Sequence, residues 1–353
     1  MRVAYVLPWP ELGGGNKVIF QHVRLLHERG VEVTVLGAGP RPTWTDLPVP
    51  YHDYDAGSPA LPAQDLAIAT YWTTIAVAER LALGPVAHFC QGYEGGLVHL
   101  APQLAEIEAA YARPLPTLTV TPHLATFLAH RFGRESVVVS PPLDPAFRPL
   151  PRLRPRRRPW IAVPGIFEAA VKDVPTALRA VRILREGGRA YRLLRFSPLP
   201  LTAAERDLLP PDRYLCGVRP EALARELRRC DLLLLSSRPE EGFGLPLLEA
   251  MAAGIPAVAS RIPSIEYLTA GAVALVEPGD ATGFAAAAEA LLGAPRQWRQ
   301  ARRAGIAQAQ RFRPEAVVPR LLDAVLWAVE WTKGRVRERS ADRAPAAVDR
   351  TKT

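Results

Sequence analysis

The chain carries little sulfur: three cysteines and two methionines in 353 residues. Cys90, Cys216 and Cys230 are scattered, odd in number and without a Cys-x-x-Cys pair, which argues against a disulfide framework and against a zinc site. A reducing cytoplasm is the simplest home for such a chain. Long apolar runs are missing as well. Met1-Arg2 leads into a short apolar stretch ended by Pro8, too short for a signal-peptide core or a membrane span. Excess charge is confined to two places. Of the formal net charge of +9, six arginines between Arg148 and Arg158 supply +6 and Lys333 to Thr353 supply +4, so the remainder carries −1. A basic stripe on a folded domain is therefore absent, and no nucleic-acid partner is expected. The two basic segments read as solvated, flexible chain. Their alternative reading is a weak contact with anionic headgroups at the inner face of a membrane.

Hydrophobic content of 48% and charged content of 22% are ordinary for a globular protein, and the length suits about two domains. Phe147 to Pro159 is too dense in proline for helix or central strand and marks the division. Before it, Val3–Leu7, Val31–Leu36, Leu66–Ala69, Val86–Phe89, Leu118–Thr121 and Val137–Val139 read as strands. Helical patterns at Lys17–Glu28, Thr73–Ala82 and His123–Phe132 alternate with them. After it, strands are expected at Trp160–Val163, Arg192–Arg195, Leu232–Leu235, Ala257–Ala259 and Ala272–Val276. Such alternation predicts two α/β domains with doubly wound parallel sheets, whose ligands bind beyond the carboxyl ends of the strands. The expected division is a first domain at 1–150, a basic linker at 151–159 and a second domain at 160–313. A helix at about 314–335 returns to the first domain, followed by a flexible basic tail at 336–353. Trp327 and Trp331 share one face of that helix and are assigned to its docking core.

The most informative stretch is Glu241-Gly-Phe-Gly-Leu-Pro-Leu-Leu-Glu249, continued as Ala-Met-Ala-Ala-Gly254. It follows the apolar run Leu232–Leu235. Gly242 and Gly244 give it a tight loop, Pro246 suits the first turn of a helix, and Gly254 with Pro256 marks the end. A helix start favours an anion such as phosphate. Glu241 and Glu249 offer acceptors only, so they suit sugar hydroxyls on either side of a diphosphate.

This stretch resembles the signature of the retaining glycosyltransferases of family four, which have the GT-B fold: two Rossmann-like domains facing a central cleft. The resemblance implies a sugar transferred from a nucleotide-diphosphate sugar to an acceptor hydroxyl, in bacterial glycan or glycoconjugate synthesis. It implies that Glu241 contacts the donor sugar near the reacting carbon and that Glu249 holds the ribose. Amides around Gly244 and Leu245, with Gly242 and Phe243, would meet the phosphates. Gly13-Gly14-Gly15 lies between the first strand and first helix, where family members have a glycine-rich loop, so Gly14 and Gly15 join the donor set. Asn16 and Lys17 are weaker candidates.

The family's Gly-Arg…Lys-Gly pattern after the first strand of the second domain corresponds to Gly165-Ile-Phe-Glu-Ala-Ala-Val-Lys172. Gly165 and Lys172 are kept, and Ile166 stands where an arginine is expected. Lys172 is the expected diphosphate contact and, with Glu241, the catalytic pair; Arg195 and Arg238 are candidates for the missing arginine. Gln91 occupies the place of the family's first-domain histidine, and His88 reads as packed within its strand. Gln91-Gly-Tyr-Glu94 is similar to a motif of a bacterial subgroup that includes rhamnosyltransferases, making Gln91, Tyr93 and Glu94 candidate acceptor or sugar contacts. Ser140–Phe147 resembles the end of the family's first domain, and Ser264-Ile-Glu266 a loop near the donor. No metal and no cofactor is expected. The alternatives are a GT-B epimerase or phosphorylase, or a non-catalytic nucleotide-sugar-binding protein. The nucleotide base, the sugar and the acceptor have no legible pattern, and neither does Pro40–Pro62.

Overall fold

The computed structural model describes residues 1–57 and 60–342, with residues 335–342 described by backbone alone. The first sheet contains β1 (Arg2–Leu7), β2 (Glu32–Gly37), β3 (Tyr51–Asp53), β4 (Leu66–Ala69), β5 (Val86–Cys90), β6 (Thr117–Thr119) and β7 (Ser136–Val138). It has the order β3-β2-β1-β4-β5-β6-β7, all parallel. Its main helices are α1 (Gly14–His27), α2 (Trp72–Leu81), α3 (Leu104–Tyr111) and α4 (Pro122–Phe132). The second sheet contains β8 (Trp160–Pro164), β9 (Arg192–Ser197), β10 (Arg213–Cys216), β11 (Leu232–Leu235), β12 (Ala257–Ser260) and β13 (Ala274–Val276). Its order is β10-β9-β8-β11-β12-β13, again parallel. Around it lie α5 (Val174–Glu186), α6 (Ala203–Leu208), α7 (Pro220–Leu227), α8 (Leu245–Ala252), α9 (Pro263–Thr269), α10 (Ala281–Gly293) and α11 (Pro295–Ala309), before α12 (Pro314–Asp342).

The inner strands β1, β4 and β11 have no polar face because both sides of the sheet are covered there. In β11, Leu233 and Leu235 enter one apolar cluster while Leu232 and Leu234 enter the other; Val3, Tyr5 and Leu7 of β1 oppose Ala4 and Val6 in the same way. The first cluster continues through both domains and α12, so the domains are joined by core as well as by chain. Polar contacts reinforce the junction: Ser140 Oγ lies 2.9 Å from the Tyr267 hydroxyl, and the Leu143 amide donates to the Phe312 carbonyl at 2.6 Å. Helix α12 packs on α1 and β4, with the Trp331 indole donating to Glu135 at 3.0 Å.

Three expectations change. Strands β3 and β10 lacked a legible signal. Both are sheet-edge strands, half-covered and short, so their residues need not be apolar. The linker is not free chain. Arg152 and Arg156 pair with the fully buried Asp231, which also accepts the backbone amides of Arg156 and Trp160 at 2.9 Å each. Arg302 donates to the Leu150 carbonyl. A buried carboxylate needs such partners, and the arginines that supply them are thereby fixed. Finally, α12 continues to Asp342, through the first part of the segment read as a flexible tail; residues 343–353 lie outside the described residues.

Candidate functional site

In each sheet the strand order reverses at one crevice, between β1 and β4 in the first domain and between β8 and β11 in the second. Loops leaving those strands define where a ligand enters. The loops after β8 and β11 carry Gly165–Lys172 and Ser236–Gly244, and opposite them lie Gly13–Gly15, which follow β1 and, rather than forming a loop ahead of the helix, open α1 itself, with Gly13 at its cap. Together they enclose a cleft of about 320 Å³. Gly14, Gly15, Gly165, Lys172, Glu241, Phe243, Gly244, Leu245, Glu249 and Gln91 all contribute to its wall.

Close approach dictates the glycines. A Cβ on Gly242 would lie 1.8 Å from the Gln91 carbonyl oxygen, so Gly242 backs the cleft by pressing one domain onto the other. A Cβ on Gly244 would lie 2.5 Å from Ile265 Cδ1, and its φ of +88° is left-handed besides. Ser264, Ile265 and Glu266, expected in a loop, are inside α9, and Ile265 braces this turn. Gly244 then opens α8, whose Pro246 stands in the first turn. The Phe243 ring turns away into the core, 5.5 Å from the ring of Phe312, leaving little of Phe243 but backbone for a ligand.

Glu241 is buried and receives Lys172 Nζ at 2.6 Å and the Ser237 hydroxyl at 2.9 Å. Burial pushes its carboxyl up, but the Lys172 ammonium, those hydrogen bonds and the Gly244 amide outweigh burial and hold it below the usual carboxylate range. Glu249, 2% exposed, is paired with Lys17, which comes from the first turn of α1 in the opposite domain. Here burial dominates, so the Glu249 carboxyl is raised although Lys17 opposes the shift. The cleft thus holds two carboxylates and two ammonium groups, one pair on each side of the α8 start. Lys17 is the cleft residue that sequence reasoning undervalued. The signal was its place three residues beyond Gly14, at the mouth of the same cleft.

Neither candidate for the missing arginine reaches the cleft wall. Arg195 is fully buried, bound to Glu205 at 2.5 Å and to the Val163 and Gly165 carbonyls at 2.6 and 2.9 Å. Its work is to tie β9 to the end of β8. Arg238 pairs with Asp173 at 2.6 Å and lies against Gly279. His88 is packed in β5 with Arg134 2.9 Å from its Nδ1; burial, then that guanidinium, pushes its pKa well below the ordinary value. One Asp-x-Asp does occur in the chain, at Asp53-Tyr54-Asp55. The Asp53 carboxylate accepts the amides of Gly39 and Asp55, each at 3.0 Å, at the edge of the first sheet. Among the described residues no group of three or more His, Cys, Asp or Glu is placed to hold a metal ion.

Gln91 lines the cleft and also a second cavity of about 250 Å³ that contains Tyr93 and Glu94. Tyr93 packs its ring against Tyr111 and Phe127 at 5.1 and 4.8 Å. Glu94 is buried and accepts from the Tyr111 hydroxyl at 2.5 Å. Burial raises its carboxyl to about 7, more than the hydrogen bonds from Tyr111 and from backbone amides pull it down.

Residues 158–294 match the model of the family Glycosyl transferases group 1. That match covers the second domain from β8 through α10, with both carboxylates and Lys172. The D-inositol 3-phosphate glycosyltransferase of Segniliparus rotundus is 35% identical over 163 residues, 45% of this chain and 36% of that protein. The N-acetyl-alpha-D-glucosaminyl L-malate synthase of Bacillus anthracis is 42% identical over 89 residues, 25% of this chain and 23% of that one. The chain therefore spans well under half the length of these curated relatives in the matched stretches. Similarity in fold reaches further. The sucrose-phosphate synthase of Thermosynechococcus elongatus superposes with a TM-score of 0.71 over 93% of this chain and 100% of that one, at 17% identity. HepE of Anabaena, solved in complex with UDP and glucose, gives 0.72 over 92% and 99%, at 15% identity. The architecture is that of the GT-B glycosyltransferases. No helix among the described residues is long and apolar enough to cross a membrane.

Proposed function

We propose that the protein is a glycosyltransferase of the retaining type, moving a sugar from a nucleotide-diphosphate sugar to an acceptor hydroxyl without a metal ion. The observation that carries this reading is the pair of lysine–glutamate contacts, Lys172 with Glu241 and Lys17 with Glu249, flanking the start of α8 in the interdomain cleft. A diphosphate entering there meets two ammonium groups and the positive end of a helix. Released from Lys17, Glu249 accepts ribose hydroxyls, while Glu241, on the sugar side, accepts hydroxyls of the donor sugar. The acceptor oxygen attacks the anomeric carbon from the face of the departing phosphate. The bond from that carbon to the phosphate oxygen breaks, the electron pair leaves with the phosphate, and the phosphate oxygen takes the acceptor's proton. Lys172 and Lys17 stabilise the charge that develops on the leaving group. Both lysines together supply the two cations that the Ile166 position would otherwise leave one short.

The relatives are named for inositol 3-phosphate and for a malate product, and the neighbour was solved with UDP and glucose, so the acceptor differs among similar proteins. Glycan or glycoconjugate synthesis is the setting this supports. A panel of UDP, GDP, ADP and dTDP sugars, with and without acceptors and followed by product analysis, tests it. Transfer with the anomeric configuration kept, undiminished by a chelator, is the expected result. Epimerised or phosphorolysed donor without transfer would replace this reading with another GT-B activity, and binding without turnover would make the protein a nucleotide-sugar binder. The exposed linker arginines Arg154, Arg157 and Arg158 support a contact with anionic lipid. Flotation with anionic but not neutral vesicles, abolished by salt, is the expected behaviour.

A further inference from the structure

The second cavity lies at the reversal point of the first sheet, as the donor cleft lies at that of the second. Its walls include Pro8 and Trp9 after β1, Thr70 and Tyr71 after β4, and Gln91 after β5. Gln91 is shared with the donor cleft. Its side-chain amide makes no hydrogen bond among the described residues and sits over the backbone of Gly15, 3.1 Å from where a Cβ would be. A group in the second cavity therefore abuts a group in the first across one unpartnered amide. Resting on the glycosyltransferase reading above, we propose that this second cavity is the acceptor site and that it takes an uncharged sugar in preference to a phosphorylated or carboxylated acceptor.

Three features carry the class. The Trp9 and Tyr71 rings meet edge to face, 5.2 Å apart, and Trp9 stays 48% exposed. A large aromatic surface left half in water beside a cavity is suited to the C–H face of a sugar ring. No lysine, arginine or histidine is among the lining residues, whereas Glu94 and Glu240 both are. Glu240 projects from the second domain over Gly96, and its carboxylate has no ion-pair or hydrogen-bond partner among the described residues. An acceptor anion would face the Glu240 carboxylate with no cation among the lining residues, while sugar hydroxyls can donate to it. The two ammonium groups nearby, Lys17 and Lys172, belong to the other cavity.

The test uses the full chain saturated with whichever nucleotide diphosphate the donor panel identifies. Methyl glycosides of glucose, galactose, mannose and N-acetylglucosamine are titrated by saturation-transfer NMR beside their 6-phosphates, inositol 3-phosphate and malate. At least one neutral glycoside should bind, its 6-phosphate at least tenfold more weakly. Trp9→Ala should weaken that glycoside at least tenfold and leave nucleotide affinity within twofold. Glu240→Lys should narrow the gap between the glycoside and its phosphate at least fivefold. The proposal is overturned by an anion that binds as tightly as the best glycoside, by Trp9→Ala without effect, or by nucleotide binding with no glycoside binding. If the chain binds no nucleotide at all, the glycosyltransferase reading fails instead.

Discussion

Lys17 of the first domain and Glu249 of the second form an ion pair across the cleft, with their side chains 13% and 3% exposed. A buried pair of this kind is held by mutual compensation, and removing one member leaves the other uncompensated. The pair therefore keeps this part of the cleft charge-balanced. Lys17→Ala should lower kcat/KM for transfer about ten- to hundredfold, the equivalent of losing about 1.5–3 kcal/mol of charge-assisted hydrogen bonding. Lys17→Arg should recover most of it. Steady-state kinetics with the preferred donor decides the matter, and a Lys17→Ala rate within twofold of the parent would remove Lys17 from the diphosphate site.

On the sugar side, Lys172 and Glu241 should be separable by what each loses. Lys172→Ala strips a buried carboxylate of its cation, so it should destabilise the protein by about 1–3 kcal/mol as well as lower transfer by at least about a hundredfold. Glu241→Gln keeps the shape and one acceptor, so it should lower transfer with little change in thermal stability. Melting curves measured beside initial rates check both halves, and unchanged rates in both variants would sink the site assignment.

Glu94 gives a pH signature. Its carboxyl lies at about 7 in the folded protein against an ordinary 4.5, so between those values the folded chain binds more protons than the unfolded one. The stability this contributes is complete below about 4.5 and is lost as pH rises through about 7. Glu94→Gln cannot ionise. It should therefore gain stability relative to the parent as pH is raised from 5 to 8, by about 2–3 kcal/mol at most for a shift of this size. Urea titrations at the two pH values measure the difference. A constant difference between variant and parent would show that Glu94 does not titrate in this window.

What the sequence disclosed follows from which interactions are local. Leu66–Ala69 and Leu232–Leu235 have the bounds expected of them, because a strand covered on both faces must be apolar throughout. The Glu241–Glu249 segment was legible for the same reason: glycine, proline and helix period act within a few residues. Long-range pairing was not. Arg195 was weighed as a phosphate ligand because nothing in the sequence reveals Glu205 turning inward to bind it, and the linker arginines were read as solvated because Asp231 is 79 residues from Arg152. Lys17 was ranked among the weaker candidates on similar grounds, its partner lying 232 residues away in the other domain.

Gly242 tests whether the closed arrangement of the domains is the active one. Its own φ is not among the left-handed values, so alanine is acceptable to the local backbone. The obstacle is the Gln91 carbonyl oxygen, 1.8 Å from the added Cβ and belonging to backbone that cannot swing aside as a side chain would. The nearby Thr121 hydroxyl, which reaches the Gly242 carbonyl at 3.4 Å, would be displaced by the same shift. Gly242→Ala should leave each domain folded but hold the faces apart, moving Lys17 away from Glu249 and Gln91 away from the donor sugar. Positioning errors of about 1 Å cost on the order of a hundredfold in rate, so transfer should fall by at least that much while nucleotide binding to the second domain persists within about tenfold. Small-angle scattering should register a larger radius of gyration for the variant. Full activity with an unchanged radius would mean that the contact between Gly242 and Gln91 is dispensable to the working enzyme.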